Sequence, residues 1–164
     1  MEFWKVSRKR GFWFYAIITA LMLILARMNL PELTMNKMLI VNWGLINKPL
    51  KLALLNANII LFDYASIIFA RSEADSIENF LQIRKVGFSK RWLALKKQFL
   101  GYLVPVILVH VFLYNSRNWI ISSEIVSGFI IIWVLLVGMP MYRLPNWVRY
   151  GLAAVIIGIF RILV

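Results

Sequence analysis

Long apolar runs alternate with short polar ones along the chain, and the apolar runs are too long for the core helices of a small soluble protein. A bilayer core needs about 20 consecutive apolar residues in a helix, and five runs approach that length, at about 11–28, 52–70, 99–115, 125–142 and 150–164. The fifth is the shortest and carries Arg161. Helices are the expected form, because each backbone polar group must be satisfied within its own segment. No ten-residue alternation of the membrane-barrel kind is visible. The pattern therefore predicts an all-α class: a polytopic membrane helix bundle of about five spans, forming one domain over residues 1–164.

The connection 71–98, "RSEADSIENFLQIRKVGFSKRWLALKKQ", is the one long polar stretch. Ser72 and Asp75 make an S-x-x-D capping pattern, with Glu73 adding favourable charge in a first turn. Ile77, Phe80 and Leu81 repeat at i, i+3, i+4 as an apolar stripe beside Glu78. Arg84 and Lys85 suit a last turn, Gly87 a C-cap, and Ser89 the start of a second helix before Lys90. Trp92, Leu95 and Phe99 continue an apolar face into the third run. The stretch predicts a short transverse helix, a glycine turn and a basic lead-in. It suits an interfacial helix lying on lipid or an element docking a soluble partner through Phe80 and Leu81.

Composition supports the membrane class. Of 164 residues, 62% are hydrophobic and 16% charged, against roughly 45–50% and about 25% in soluble domains; mean hydropathy is +0.76. The net charge of +12 would suggest nucleic acid in a soluble protein. Here the cations punctuate apolar runs, so anchoring to anionic lipid is expected and nucleic acid is not. Lys5, Arg8, Lys9 and Arg10, the seven cations of the 71–98 stretch, and Arg143 with Arg149 fall on one side. Arg27, Lys37, Lys48, Lys51 and Arg117 fall on the other. The positive-inside rule then predicts a cytoplasmic N-terminus and a cytoplasmic 71–98 stretch in a multi-pass cell-membrane protein. "KVSRKR" before an apolar run mimics a signal peptide, but "RMNLPEL" offers no small-residue cleavage site, so an uncleaved first span is expected. The opposite connection holds a short apolar run with Trp43, predicted to lie at the interface.

Polar groups inside the spans are few. Asp63 fits a translocation path, a pair with a basic group on another subunit, or an ion pair between helices. His110 suits an interhelical hydrogen bond, and Arg161 suits snorkelling to the outer interface. A single histidine without cysteine makes no conventional zinc site, and absent cysteine leaves the redox compartment open. No paired carboxylates, Ser/His/Asp set or nucleotide loop appears, so no catalytic residue and no enzyme activity are expected.

"FARSEADSIENFLQIRKVGFSKRWLALKKQFLGYL" resembles the region between spans two and three of type-2 ABC exporter permeases. The match falls on Glu73, Glu78, "NFLQIR", Gly87, Ser89, Lys90 and Lys96 or Lys97. The start "MEFWKVSRKRG" is similar to that family's cytoplasmic, amphipathic N-terminal helix. Small permease subunits of bacteriocin or lantibiotic export and immunity systems are the nearest kind. The resemblance implies a coupling helix (Ile77, Glu78, Phe80, Leu81 and Arg84) that docks a partner ATPase. It implies a turn at Gly87, Ser89 and Lys90, ATP and Mg bound by the partner only, and a second permease subunit. The family usually has six spans, one more than this chain offers. A non-transport immunity or assembly subunit is the alternative.

Overall fold

The computed structural model describes residues 2–31, 33–111, 119–138 and 144–163. Among them the chain is helical, with no strand. The helices are α1 (Glu2–Asn29), α2 (Met35–Trp43), α3 (Leu50–Ile83), α4 (Phe88–Val111), α5 (Trp119–Gly138) and α6 (Asn146–Leu163). Residues 112–118 and 139–143, where the third and fourth expected spans end, lie outside the described residues.

Contacts fix the direction of each long helix. Along α1, Arg8 meets Ser72, Lys9 meets Glu73 and Tyr15 meets Asn58, so α1 and α3 are antiparallel. Lys9 lies over Tyr102, and Ala20 sits beside Leu108 and Val109, so α1 and α4 are parallel. Ser66 meets Trp133 and Arg71 meets Val137, which sets α5 parallel to α3. Asp75 meets Arg149 and Asp63 meets Arg161, which sets α6 antiparallel to α3. The five long helices thus alternate in direction, with the polar 71–98 connection at one end. The short α2 lies at the other end.

Two expected breaks are absent. The amphipathic N-terminal segment and the first apolar run form the single helix α1. The transverse helix expected after Ser72 is instead the end of α3, which runs 34 residues without interruption, or about 51 Å at 1.5 Å per residue. The reason is compositional. No glycine or proline lies between Pro49 and Gly87, and the S-x-x-D pattern sits inside a helix whose neighbouring turns are already favourable. The Pro49 carbonyl accepts from Leu52 and Ala53 at the start, as suits proline at a helix N-terminus.

The turn after α3 also differs from expectation. Lys85, not Gly87, takes the left-handed conformation, with φ 50°, and the Val86 N–H donates to the Leu81 carbonyl at 3.1 Å. This is a Schellman closure with lysine at the position that favours glycine. Gly87 immediately precedes α4, so Ser89 lies within the first turn of α4 rather than capping it. Gly44 ends α2 under tighter constraint. Its N–H donates to the Ile40 carbonyl at 2.8 Å, and a Cβ there would sit 3.1 Å from that oxygen.

The bundle has a mainly apolar core that encloses a set of polar side chains, and its exterior is apolar as well. Asp63, Ser66, Arg71, Glu73, Glu78, His110 and Arg161 are buried, whereas Phe14, Leu21, Leu25, Leu61, Ile131 and Ile159 are exposed. A soluble monomer rarely exposes such contiguous apolar surface. Two stretches, Arg8–Asn29 and Leu50–Glu78, are long and apolar enough to cross a membrane, and Phe99–Val111 and Ser123–Gly138 are shorter apolar helical stretches.

Candidate functional site

α3 carries two polar clusters and an exposed tip. The first cluster surrounds Asp63. One carboxylate oxygen lies 2.8 Å from His110 Nε2 on α4, and the other accepts from Arg161 Nη2 on α6. An ionised carboxylate can only accept, so Nε2 carries the proton of this bond. Arg161 also reaches the Gly44 carbonyl at 3.4 Å. All three charged or polar side chains are almost fully buried. Arg161 therefore does not snorkel outward. Its guanidinium instead turns into the bundle and meets Asp63.

Trp43 departs from expectation as well. It is buried in the bundle, with its indole stacked on the His110 ring at 4.2 Å between centroids and 25° between planes. Phe129 and Phe160 close its other sides. Asn56 draws α2 inward by donating to the Val41 carbonyl at 2.6 Å and the Gly44 carbonyl at 3.0 Å. The connection between α1 and α3 thus folds into the bundle as a lid over Asp63. Around it the Asn42 amide, Trp43 Nε1 and His110 Nδ1 are buried without a hydrogen-bond partner among the described residues.

The second cluster begins eight residues later. Arg71 donates to Asp75 at 2.7 Å, to Glu78 at 2.6 Å and to the Val137 carbonyl of α5 at 2.8 Å. Asp75 also accepts from Arg149 of α6 at 2.6 Å. Glu73 accepts from the Tyr102 hydroxyl of α4 at 2.6 Å and pairs with Lys9 of α1 at 3.3 Å. Arg8 donates to Ser72 at 2.9 Å. One and a half turns of α3 are thereby tied to each of the other four long helices. Three of the chain's seven acidic residues are taken up in these internal pairs.

Beyond the cluster lies the tip. Phe80 is 51% exposed and Ile83 83%, and the Arg84 guanidinium covers the Phe80 ring at 4.2 Å. Gly87, Ser89 and Lys90 at the start of α4, and Lys96 and Lys97 further along it, are exposed, and Leu81 is half-buried. Two residues expected at a docking face are turned elsewhere. Ile77 packs on the hydrophobic core, and Glu78 is fully buried against Arg71. Helical periodicity explains the split: Phe80 and Ile83 share one face, while Arg71, Glu78 and Ala74 share the face toward the bundle. Ile83 was not singled out in the sequence, although it extends the Phe80 face at i+3.

Among the described residues, no group of three or more His, Cys, Asp or Glu side chains could hold a metal ion. One continuous helix joins a compensated buried charge at one level to an exposed apolar-basic tip at the other. No protein-family model, curated protein or solved structure matches this chain.

Proposed function

We propose that the chain is a five-span membrane subunit of permease type in an ATP-driven exporter, with α3 as its lever and the α3–α4 turn as its docking tip. The observation that carries this reading is the course of α3. One unbroken helix joins the buried Asp63 to the exposed Phe80, Ile83 and Arg84. It is cross-tied on the way to α1, α4, α5 and α6. At about 51 Å it exceeds the roughly 30 Å hydrocarbon core, so its last turns stand clear of lipid on the basic, cytoplasmic side.

The alternating directions of α1, α3, α4, α5 and α6 support five crossings, and the apolar exterior supports lipid as their solvent. A partner ATPase, binding ATP and Mg itself, would grip Phe80 and Ile83. Displacement of the tip would then move the helices as one cross-tied body, a rigid-body switch between two states. Pulling on the turn from Arg71 to Asp75 loads all four neighbours together, whereas a flexible loop would dissipate the motion. A second membrane subunit completes the usual count of coupling elements, one for each ATPase.

One observation favours the alternative of a small non-transport membrane protein, such as an immunity or assembly subunit. Asp63 is neutralised and shielded within one chain, so the bundle does not need a second subunit to keep that carboxylate from lipid. Affinity purification from native membranes tests the choice. An ATPase should co-purify with the full chain and be lost from the F80S/I83S double variant, while the variant stays in the membrane fraction. Absence of any co-purifying ATPase, or equal recovery with the double variant, would move the reading to the non-transport alternative.

A further inference from the structure

The outward face between α1 and α4 carries a groove that the coupling reading does not use. Trp13, Ala16 and Ala20 line it on α1, with Pro105 and Leu108 on α4; its volume is about 280 Å³ and its walls are almost wholly apolar. The groove exists because small residues occur where the two helices are closest to filling the gap. Ala16 and Ala20 replace bulk on α1, and the compact ring of Pro105 faces them. Helical stripes extend both walls toward the 71–98 end. Arg10 precedes Trp13 by three residues on α1, and Lys97 precedes Pro105 by eight on α4, which is about 4.5 Å and about 12 Å along the axes.

Arg10 and Lys97 are exposed. They also differ from their neighbours in pairing. Lys9 is committed to Glu73 and Arg8 to Ser72, whereas neither Arg10 nor Lys97 joins an ion pair or hydrogen bond among the described residues. Two cations without a partner among the described residues therefore lie on the helical stripes that continue the two apolar walls, with the Lys9 side chain packed against Gly101 between them.

From this geometry we infer that the α1–α4 groove is a binding site for an anionic phospholipid. One acyl chain lies along Ala16, Ala20 and Pro105, and the phosphate lies between Arg10 and Lys97. Charge complementarity selects this occupant. A neutral apolar helix would leave both cations without a partner, while a basic pocket between membrane helices suits an anionic headgroup. Arg10 adds a forked donor that matches phosphate oxygens. The inference rests on the membrane reading of the bundle, though not on the ATPase reading.

Tryptophan quenching by brominated lipid tests it on the full chain reconstituted in phosphatidylcholine vesicles. Trp13 reports the groove, through the quenching lost in a W13F variant, and Trp147, 76% exposed on α6, reports general lipid contact. Brominated phosphatidylglycerol should quench Trp13 at several-fold lower mole fraction than brominated phosphatidylcholine. Trp147 should respond to both alike. R10Q/K97Q should bring Trp13 to parity, and L108F, at a half-exposed site, should reduce quenching by either lipid at Trp13 alone.

Equal quenching of Trp13 by the two lipids in the unmodified chain would overturn the site while leaving the membrane reading intact. Trp13 shielded from both lipids while Trp147 is quenched would show a protein neighbour, such as a second copy, in the groove. That result also overturns the site. Selectivity unchanged in R10Q/K97Q would remove the headgroup assignment. No quenching of any tryptophan by either lipid would overturn the site and the membrane reading together.

Discussion

Asp63 and Arg71 lie on the same helix about 12 Å apart, and each is a buried charge with two or more partners. Their surroundings make them different devices. The Asp63 cluster is closed: one carboxylate, one guanidinium and one imidazole, roofed by Trp43 and enclosed by aromatic rings. The Arg71 cluster is branched, and its members come from every long helix. It also lies near the polar end of the bundle, where Asp75 and Lys9 are only partly covered. A closed cluster fixes which helices meet in the apolar centre. A branched one ties all five long helices together near the polar end.

The widest separation between the two clusters should appear on removing one cation from each. R161L leaves the Asp63 carboxylate in an apolar interior with only His110, and breaking a buried pair in this way costs about 3–5 kcal/mol. Adding D63N to R161L should recover most of that loss, because the uncompensated charge is gone. Unfolding in mixed detergent micelles would read both effects. R71M should cost less, about 1–3 kcal/mol, because Asp75 keeps Arg149 and Glu78, although buried, lies within two turns of the exposed Ile83. Equal losses from R161L and R71M would erase the distinction between a closed and a branched cluster.

A smaller effect of opposite sign is expected at the tip. Lys85 holds a left-handed conformation that costs a side-chain-bearing residue about 1–2 kcal/mol, and glycine gives back part of this through its unfolded-state entropy. K85G should therefore stabilise the α3–α4 turn by about 0.5–1 kcal/mol without altering either cluster. The same unfolding measurement checks it. A loss of stability would show that the lysine side chain holds the turn.

The sequence made the helical class and the long apolar runs legible, because helical periodicity and span length are local properties. The expected runs at 11–28 and 52–70 lie inside α1 and α3 for that reason. The continuity of α3 through Ser72 was hidden by a capping pattern that helix interiors also contain. Nothing in the local sequence distinguishes S-x-x-D at a start from S-x-x-D in the middle. The partner of Asp63 was hidden by distance along the chain. Arg161 is 98 residues away, and its place near a helix end reads as snorkelling until α6 is set antiparallel to α3. The burial of Trp43 depends in the same way on Asn56 drawing α2 inward, a contact with no local signature. The exposed tip was half legible: periodicity marked Phe80, but the bundle, not the stripe, decided that Ile77 and Glu78 face inward.

The account stands on α3 crossing the membrane with its tip on the cytoplasmic side. The chain has no cysteine, so single cysteines at Asn47 and Ser89, both exposed positions, can be read without background. An impermeant thiol reagent added to intact cells should label position 47 and leave position 89 unlabelled until the membrane is permeabilised. Labelling of position 89 in intact cells would contradict the account, because the α3 tip would then face away from any cytoplasmic ATPase.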